Sequence, residues 1–301
     1  MTAMDAIAST SQNLSLPALA HADSGSMMPG NKIIEPIRGA AVDPGEAMTV
    51  IPLRGMPLFA SGMSVAAEIA AAARRCGQAL DDGDVVVVAQ KIVSKAQGRT
   101  VRLREVAAGE AAARLAAQTE RDPRAVQLIL DESSEILRAH PAAIIARHRT
   151  GHVLANAGID ASNVAGGDGD TVLLWPEDPD ASAREIRREL QDITGAHPAV
   201  VIADSMGRAW RIGTVGAGIG CAGLCVVDDR RGQDTDLFGR TLQATMIAVA
   251  DAVAGAAVLV MGEGAEGVPA ALVRGAGRWV SDEDGPGMAA GLRPVEQDMF
   301  R

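Results

Sequence analysis

Two acids stand where a metal-bound phosphate could use them. Asp160 lies in the small-residue run Gly151-His-Val-Leu-Ala-Asn-Ala-Gly-Ile-Asp160-Ala-Ser-Asn163. Asp204 follows the apolar segment Ala199–Ala203 and opens Asp204-Ser205-Met-Gly207-Arg208. A carboxylate delivered by an apolar strand into a glycine-bearing turn is a hard oxygen ligand, suited to magnesium or manganese. Ser205 and Glu263 add oxygens of the same kind, while Lys95 and Arg208 can offset phosphate charge. In Met261-Gly-Glu263-Gly-Ala265-Glu266-Gly-Val268-Pro269, the glycines 262, 264 and 267 let backbone N–H groups approach a phosphate. For each acid alone, a cap or turn duty is the simpler reading. Their shared placement after apolar segments sets a metal–nucleotide site beside it.

Several other chemistries lack their signatures. The chain has no Gly-x-x-x-x-Gly-Lys-[Ser/Thr] and no strand-borne Gly-x-Gly-x-x-Gly, so neither a P-loop nor a dinucleotide fingerprint is present. Gly216-Ala-Gly218-Ile-Gly220 is a fragment of such a pattern and reads as tight packing. Gly-x-Ser-x-Gly and His-Glu-x-x-His are missing too, which weakens hydrolase and zincin readings. His140, His148 and His152 are widely spaced around Pro141, so surface or supporting roles fit them better than a metal site.

The elements that must position these residues can be read from the apolar pattern. Met48–Gly55 reads as a short strand, Met56–Phe59 as a turn, and Ser64 as the cap of a helix with Val65, Ile69, Ala72 and Cys76 on one face, stopped by Gly77. Asp82-Gly83-Asp84 turns into Val85-Val-Val-Val88, a strand buried on both faces. Gln90, Lys91, Ser94 and Lys95 continue from its polar end. The two lysines are either solvated strand-end charges or phosphate ligands, and spacing does not separate the two. Residues 105–120 form an Ala-rich helix. Asp122-Pro123 starts another through Leu137, with Val126, Ile129, Leu130, Ile136 and Leu137 toward the core. After a Gly-Asp loop (165–170) come a strand at Val172–Trp175, a helix capped by Asp180 or Ser182 and ending near Ile193, and the buried strand Ala199–Ala203. Residues 214–227 are glycine-rich and apolar, and Asp228–Asp234 is a polar loop. A helix over 241–256 then leads to a strand at Ala257–Val260.

Composition limits the partners. With 28 Lys and Arg against 38 Asp and Glu, the net charge is −10, and there are only three Trp, three Phe and no Tyr. A nucleic-acid surface is therefore not expected. Cys76, Cys221 and Cys225 are an odd number suited to a reducing cytoplasm, and Cys221 and Cys225 read as buried structural thiols. No apolar run approaches the roughly 18–20 residues of a membrane span, and no basic-then-apolar leader opens the chain, so a cytoplasmic protein without a membrane partner is expected. Residues 1–47, rich in Ser, Ala, Gly, Pro and Met, read as a poorly ordered extension ahead of one domain over 48–301.

Six stretches in this order resemble the coenzyme F420-0:L-glutamate ligases, the gamma-glutamyl ligases that finish a deazaflavin coenzyme. They are Pro52-Leu-Arg-Gly-Met-Pro57, Gly83–Lys95, Ala155–Asn163, Pro176–Ala183, Asp204-Ser-Met-Gly-Arg-Ala-Trp-Arg211 and Met261–Pro269. Asn-Ala-Gly-Ile-Asp-x-Ser-Asn and Asp-[Ser/Thr]-Met-Gly-Arg-x-Trp-Arg are the most specific. The resemblance implies a mixed α+β fold, an intertwined homodimer, and a GTP-dependent ligase that joins L-glutamate to F420-0 using Mg²⁺ or Mn²⁺, two per site, with K⁺ as a further cation. It implies that Met56, Pro57, Leu58, Phe59, Gln90, Lys95, Asn163 and the loop Met261, Gly262, Glu263, Gly264, Ala265, Glu266, Gly267, Val268 line the GTP site. Asp160 and Asp204 would hold one metal, Ser205 and Glu263 a second, and Lys95 and Arg208 would serve catalysis. The sequence departs from the family pattern at several points. Relatives often carry Ser or Thr at Gln90, Thr at Ser205, Phe at His152 and in some cases Lys at Glu263, and an acidic residue before Gly216 is missing here. The rival readings are a nucleotide- or deazaflavin-binding protein without ligase activity, and a ligase for a variant acceptor.

Overall fold

The computed structural model describes residues 47–164 and 169–298. The expected N-terminal extension, Ala47 apart, and positions 165–168 of the Gly-Asp loop lie outside the described residues. In chain order the first elements are β1 (Thr49–Pro52), α1 (Val65–Arg75), β2 (Val85–Ala89), α2 (Gln90–Ala96), β3 (Thr100–Arg102), α3 (Glu110–Thr119) and α4 (Pro123–Asp131). Next come β4 (Ser133–His140), β5 (Ala143–His148), β6 (Val153–Ala155), β7 (Thr171–Leu173), α5 (Pro179–Thr194), β8 (Ala199–Gly207) and β9 (Thr214–Ala222). The order closes with β10 (Val227–Asp229), β11 (Met246–Ala248), α6 (Val249–Met261) and β12 (Ala270–Arg274).

A five-stranded mixed sheet, ordered β1-β12-β2-β8-β9, forms the centre of this α+β architecture. The four valines of β2 explain its two-sided burial. Val86 and Val88 pack with Ile69, Ile186 and Leu190 under α1 and α5, while Val85 and Val87 pack with Val253, Ala254 and Ala257 under α6. Each valine is fully buried, a gain of about 1.5–3 kcal/mol per side chain. A second lobe sets α3 and α4 against the three-stranded sheet β4-β5-β6, with Val126, Ile129, Ile144 and Ala146 between them.

Local signals hold where a cap is at hand. Ser64 accepts from the Ala67 N–H at the start of α1, and Asp122 accepts from Arg124 N ahead of Pro123. They fail where packing decides. The helix begun at Pro123 ends at Asp131, and Ile136 and Leu137 sit half-buried on β4, because the Pro141-Ala142 turn brings β5 alongside as a partner. Gln90–Lys95 is helical rather than an extension of β2, with Ile92 and Val93 buried and Ser94 donating to the Gln90 side chain one turn away. The expected helix at 241–256 is displaced to Val249–Met261, and the expected strand at Ala257–Val260 is its last turn. The segment is apolar apart from Asp251 and holds no proline to break it, so it continues as one helix, with Val249, Ala250, Val253, Ala254, Ala257 and Met261 buried. Asp178, not Asp180 or Ser182, caps α5 from ahead of Pro179. Asp180 instead accepts from Cys221 N and Met288 N. The glycines of β9 do mark tight packing, since a Cβ at Gly216 would press on Val258 and one at Gly220 on Pro179. Cys221 is buried as expected, but Cys225 is exposed. Among the described residues no helix is long and apolar enough to cross a membrane.

Candidate active site

Topology brings the two sequence motifs together. β2 and β8 run parallel with Ala89 opposite Ala203. The residues beyond these two positions therefore emerge at the same end of the sheet: Gln90, Lys91 and Lys95 on α2, Asp204 and Ser205 on the continuing β8. The second lobe delivers Asp160 through a turn in which Asn156, Ala157 and Gly158 are all left-handed, with φ of 53°, 52° and 73°. Glycine is the residue most at ease there and asparagine tolerates it, and a Cβ on Gly158 would also collide with the indole of Trp175. Asn156 steadies the turn by accepting from Ile144 N, and Asp160 exchanges backbone hydrogen bonds with Leu173.

Contacts between α2 and this turn form one wall. Lys91 Nζ lies 2.7 Å from Asp160 Oδ2 and donates to Ser162 Oγ at 2.6 Å. Lys95 Nζ donates to the Asn163 carbonyl at 2.6 Å, and Asn163, itself left-handed at φ 56°, donates its side-chain amide to the Gly264 carbonyl. The result is a cleft of about 410 Å³ between α2, the 56–59 turn, the start of the β8 extension and the 261–268 loop.

Burial drives the electrostatics. It pushes the Asp204 carboxyl up to about 6, with Asp160 adding repulsion, against hydrogen bonds from the Trp175 indole and Ser205 N–H that favour its charge. Burial also works against the Asp160 charge, but Lys91 and Ser162 outweigh it and hold that carboxyl below its ordinary value. Lys95 is lowered by burial and by neighbouring Lys91.

Met56, Pro57, Leu58, Phe59, Gln90, Lys95, Asn163, Asp204, Ser205 and every residue from Met261 to Val268 line the cleft. Asp160 stands behind Lys91. Arg208 is not brought in. It sits in the exposed turn between β8 and β9, where its guanidinium donates to the Ile212 carbonyl. Two of the three glycine N–H groups expected to face a phosphate are already used: Gly262 N donates to Val258 O to close α6, and Gly264 N donates to the Glu266 carboxylate. Of the surface or supporting roles expected for the histidines, His148 and His152 take the buried one, His148 tilted against Trp175 and His152 edge-on to it. Sequence reasoning left Lys91 undecided and overlooked Trp175. The four-residue spacing of Lys91 and Lys95 was the available sign that both share one helical face. Nothing local marked the tryptophan.

The model of the F420-0:gamma-glutamyl ligases matches residues 55–275, a span that contains this cleft and all the elements around it. The chain belongs to that family. Among its relatives, the coenzyme F420:L-glutamate ligase of Methanothermobacter thermautotrophicus is 45% identical over 254 residues, covering 84% of this chain and 99% of the relative. Those of Methanopyrus kandleri and Methanocaldococcus jannaschii are 45% and 40% identical, each over 74% of this chain and 87% and 86% of theirs.

For a gamma-glutamyl ligase the donor set suits a divalent cation. Among the described residues no group of three or more His, Cys, Asp or Glu side chains is arranged to hold a metal ion. Mg²⁺, however, ordinarily takes one or two carboxylates and completes its shell with water and substrate phosphates. Asp160 and Asp204, two mutually repelling carboxylates beside a lysine-bearing cleft, match that habit.

Proposed function

We propose that this chain is a GTP-dependent ligase that joins L-glutamate to coenzyme F420-0, with further γ-linked glutamates following by the same chemistry. The observation that carries the reading is the convergence of Lys91, Lys95 and Asp204 on one cleft, with Asp160 paired to Lys91 behind its wall, within a chain of this family.

A carboxylate is a poor acyl donor because its oxygen is a poor leaving group. An F420-0 carboxylate oxygen would attack the γ-phosphorus of GTP, breaking the bond to the β-phosphate oxygen and releasing GDP. The α-amine of glutamate would then attack the acyl carbon, expelling phosphate and losing a proton to solvent. Catalysis of this kind rests on positioning and charge neutralisation. Lys91 and Lys95 would meet the polyphosphate, while the 56–59 turn and the 261–268 loop would enclose the nucleoside. Asp160 and Asp204 would hold Mg²⁺ or Mn²⁺, with Ser205 and Glu263 available to a second ion, and the metal would supply charge neutralisation on the phosphates. Arg208 would need the β8–β9 turn to fold inward, or a partner subunit to receive it.

A homodimer fits the surface. Trp210 and Ile212 in that turn are 91% and 102% exposed, and Leu237, Phe238 and Leu259 are exposed as well. Bare apolar side chains of this kind would be covered if two copies met through this turn, which supports the dimer reading.

The test is incubation with GTP, Mn²⁺, L-glutamate and F420-0, read by the mass of added glutamyl units. Addition without GTP consumption, or GTP and F420-0 binding with no addition, refutes the ligase reading. Addition only to a variant acceptor narrows its substrate.

A further inference from the structure

Beneath the cleft lies a buried aromatic and imidazole cluster that the proposed chemistry leaves without a task. Trp175 follows β7 and is wholly buried. Its indole N–H donates to Asp204 Oδ2 at 2.8 Å, while Ser205 N–H donates to Oδ1 at 2.9 Å. Both carboxylate oxygens therefore have a fixed donor, and the carboxylate plane is set by the direction of the indole.

That direction is itself held from several sides. The Trp175 carbonyl accepts from Arg99 Nε at 2.9 Å, and Arg99 pairs with Glu132 at 2.7 Å. The ring is tilted against His148, with centroids 4.9 Å apart, and edge-on to His152 at 5.6 Å. Thr150 Oγ1 stands 2.9 Å from Nδ1 of each imidazole and ties the pair together. Glu132 lies 3.4 Å from His148 Nε2 and binds Arg149 as well, so the cluster is anchored to α4 and β5. On the remaining edge Gly158 touches the indole so closely that no Cβ could be accommodated, and Gly158 is two residues before Asp160. One side chain thus contacts Asp204 directly and the turn bearing Asp160 at its edge. A tryptophan serving only as core filler would need neither contact.

We propose that Trp175 is a positioning residue whose indole N–H holds the Asp204 carboxylate in the orientation that, together with Asp160, receives a divalent cation. This rests on the reading of Asp204 as a cation ligand, and the experiment separates the two. Mn²⁺ affinity is measured without GTP, from the electron paramagnetic resonance signal of free Mn²⁺, for the parent chain, Trp175→Phe and Asp204→Asn. Phenylalanine keeps most of the ring and deletes the donor. Its Mn²⁺ Kd is expected to rise about 10-fold, the lower end of the effect of removing a partner behind a metal ligand, with kcat falling and the glutamate KM little changed. Asp204→Asn is expected to lose binding. If Asp204→Asn binds Mn²⁺ like the parent, the cation-ligand reading falls and the proposal with it. If Asp204→Asn loses binding while Trp175→Phe keeps parental affinity, the positioning role alone is overturned.

Should Trp175→Phe not fold, the parent chain labelled with ¹⁵N-tryptophan answers instead. Its three indole signals are separated by Trp210→Phe and Trp279→Phe. The Trp175 signal is expected to shift saturably with Mg²⁺ and to move in Asp204→Asn. A signal indifferent to both overturns the proposal.

Discussion

Replacing Asp204 by asparagine should make the metal-free protein more stable at neutral pH while removing its response to metal. Burial raises the Asp204 carboxyl from 3.8 to about 6, roughly 2 units, and each unit is worth 1.36 kcal/mol. The folded state binds this proton more tightly than the unfolded chain. The ionised carboxylate therefore penalises folding by about 3 kcal/mol above pH 6, and the penalty is relieved as pH falls from 6 through 3.8. Asparagine removes the charge but offers one acceptor oxygen to two donors, Trp175 and Ser205, a loss of about 1 kcal/mol. The net gain is about 2 kcal/mol, or about 4–8 °C in Tm for a chain of this size. Thermal unfolding in EDTA at about pH 8 and about pH 4 is the assay. Asp204→Asn should melt higher at pH 8 and slightly lower at pH 4, where only the unsatisfied donor remains. Mn²⁺ at 100 times its Kd should stabilise the parent by about 2.7 kcal/mol and leave the variant unmoved. A variant that melts lower at both pH values refutes the assignment of Asp204 as a strained buried charge.

Other perturbations test other parts. Lys95→Met keeps the stem and deletes the ammonium, and a charge-assisted hydrogen bond worth about 1.5–3 kcal/mol translates to a GTP KM roughly 10–100-fold higher in initial-rate assays; an unchanged KM removes Lys95 from the nucleotide site. Burial works against the Glu132 charge, but His148, Arg99 and Arg149 together hold it at about 2. Its contribution of about 3 kcal/mol is present above pH 4.5 and lost as pH falls toward 2, so urea titrations should show Glu132→Gln strongly destabilised at pH 7 and nearly parental at pH 2. His152, lowered to about 4 by burial and by His148, should cost the protein stability as pH falls from 6.5 to 4, and His152→Phe should flatten that limb of the pH–stability curve. Ile212→Asp should shift the chain to a smaller species in sedimentation velocity; an unchanged distribution places any dimer contact elsewhere.

Much of the site was legible because its residues stand in short contiguous runs. Asp160 and Asn163 share one turn, Asp204 and Ser205 follow one apolar strand, and the glycines of 261–268 share one loop. Boundaries were legible where a local hydrogen bond decides them, as at Ser64 and Asp122. They were misread where the deciding partner is distant in the chain. Residues 133–140 became a strand because β5 pairs with them, and 257–260 remained helical because the strand that pairs with β2 begins only at Ala270.

By itself the sequence determined which groups are available: carboxylates, ammoniums and glycines, in an order that matches one ligase family. Only the tertiary structure decided their company. Parallel pairing of β2 with β8 sets Lys91 and Lys95 beside the strand end that bears Asp204, and the second lobe carries Asp160 onto Lys91. The same packing leaves Arg208 outside, spends the Gly264 N–H on Glu266, and places the Trp175 indole against Asp204. A side chain's charge is written in its own chemistry, but its ionisation and direction are set by burial and by neighbours from remote parts of the chain.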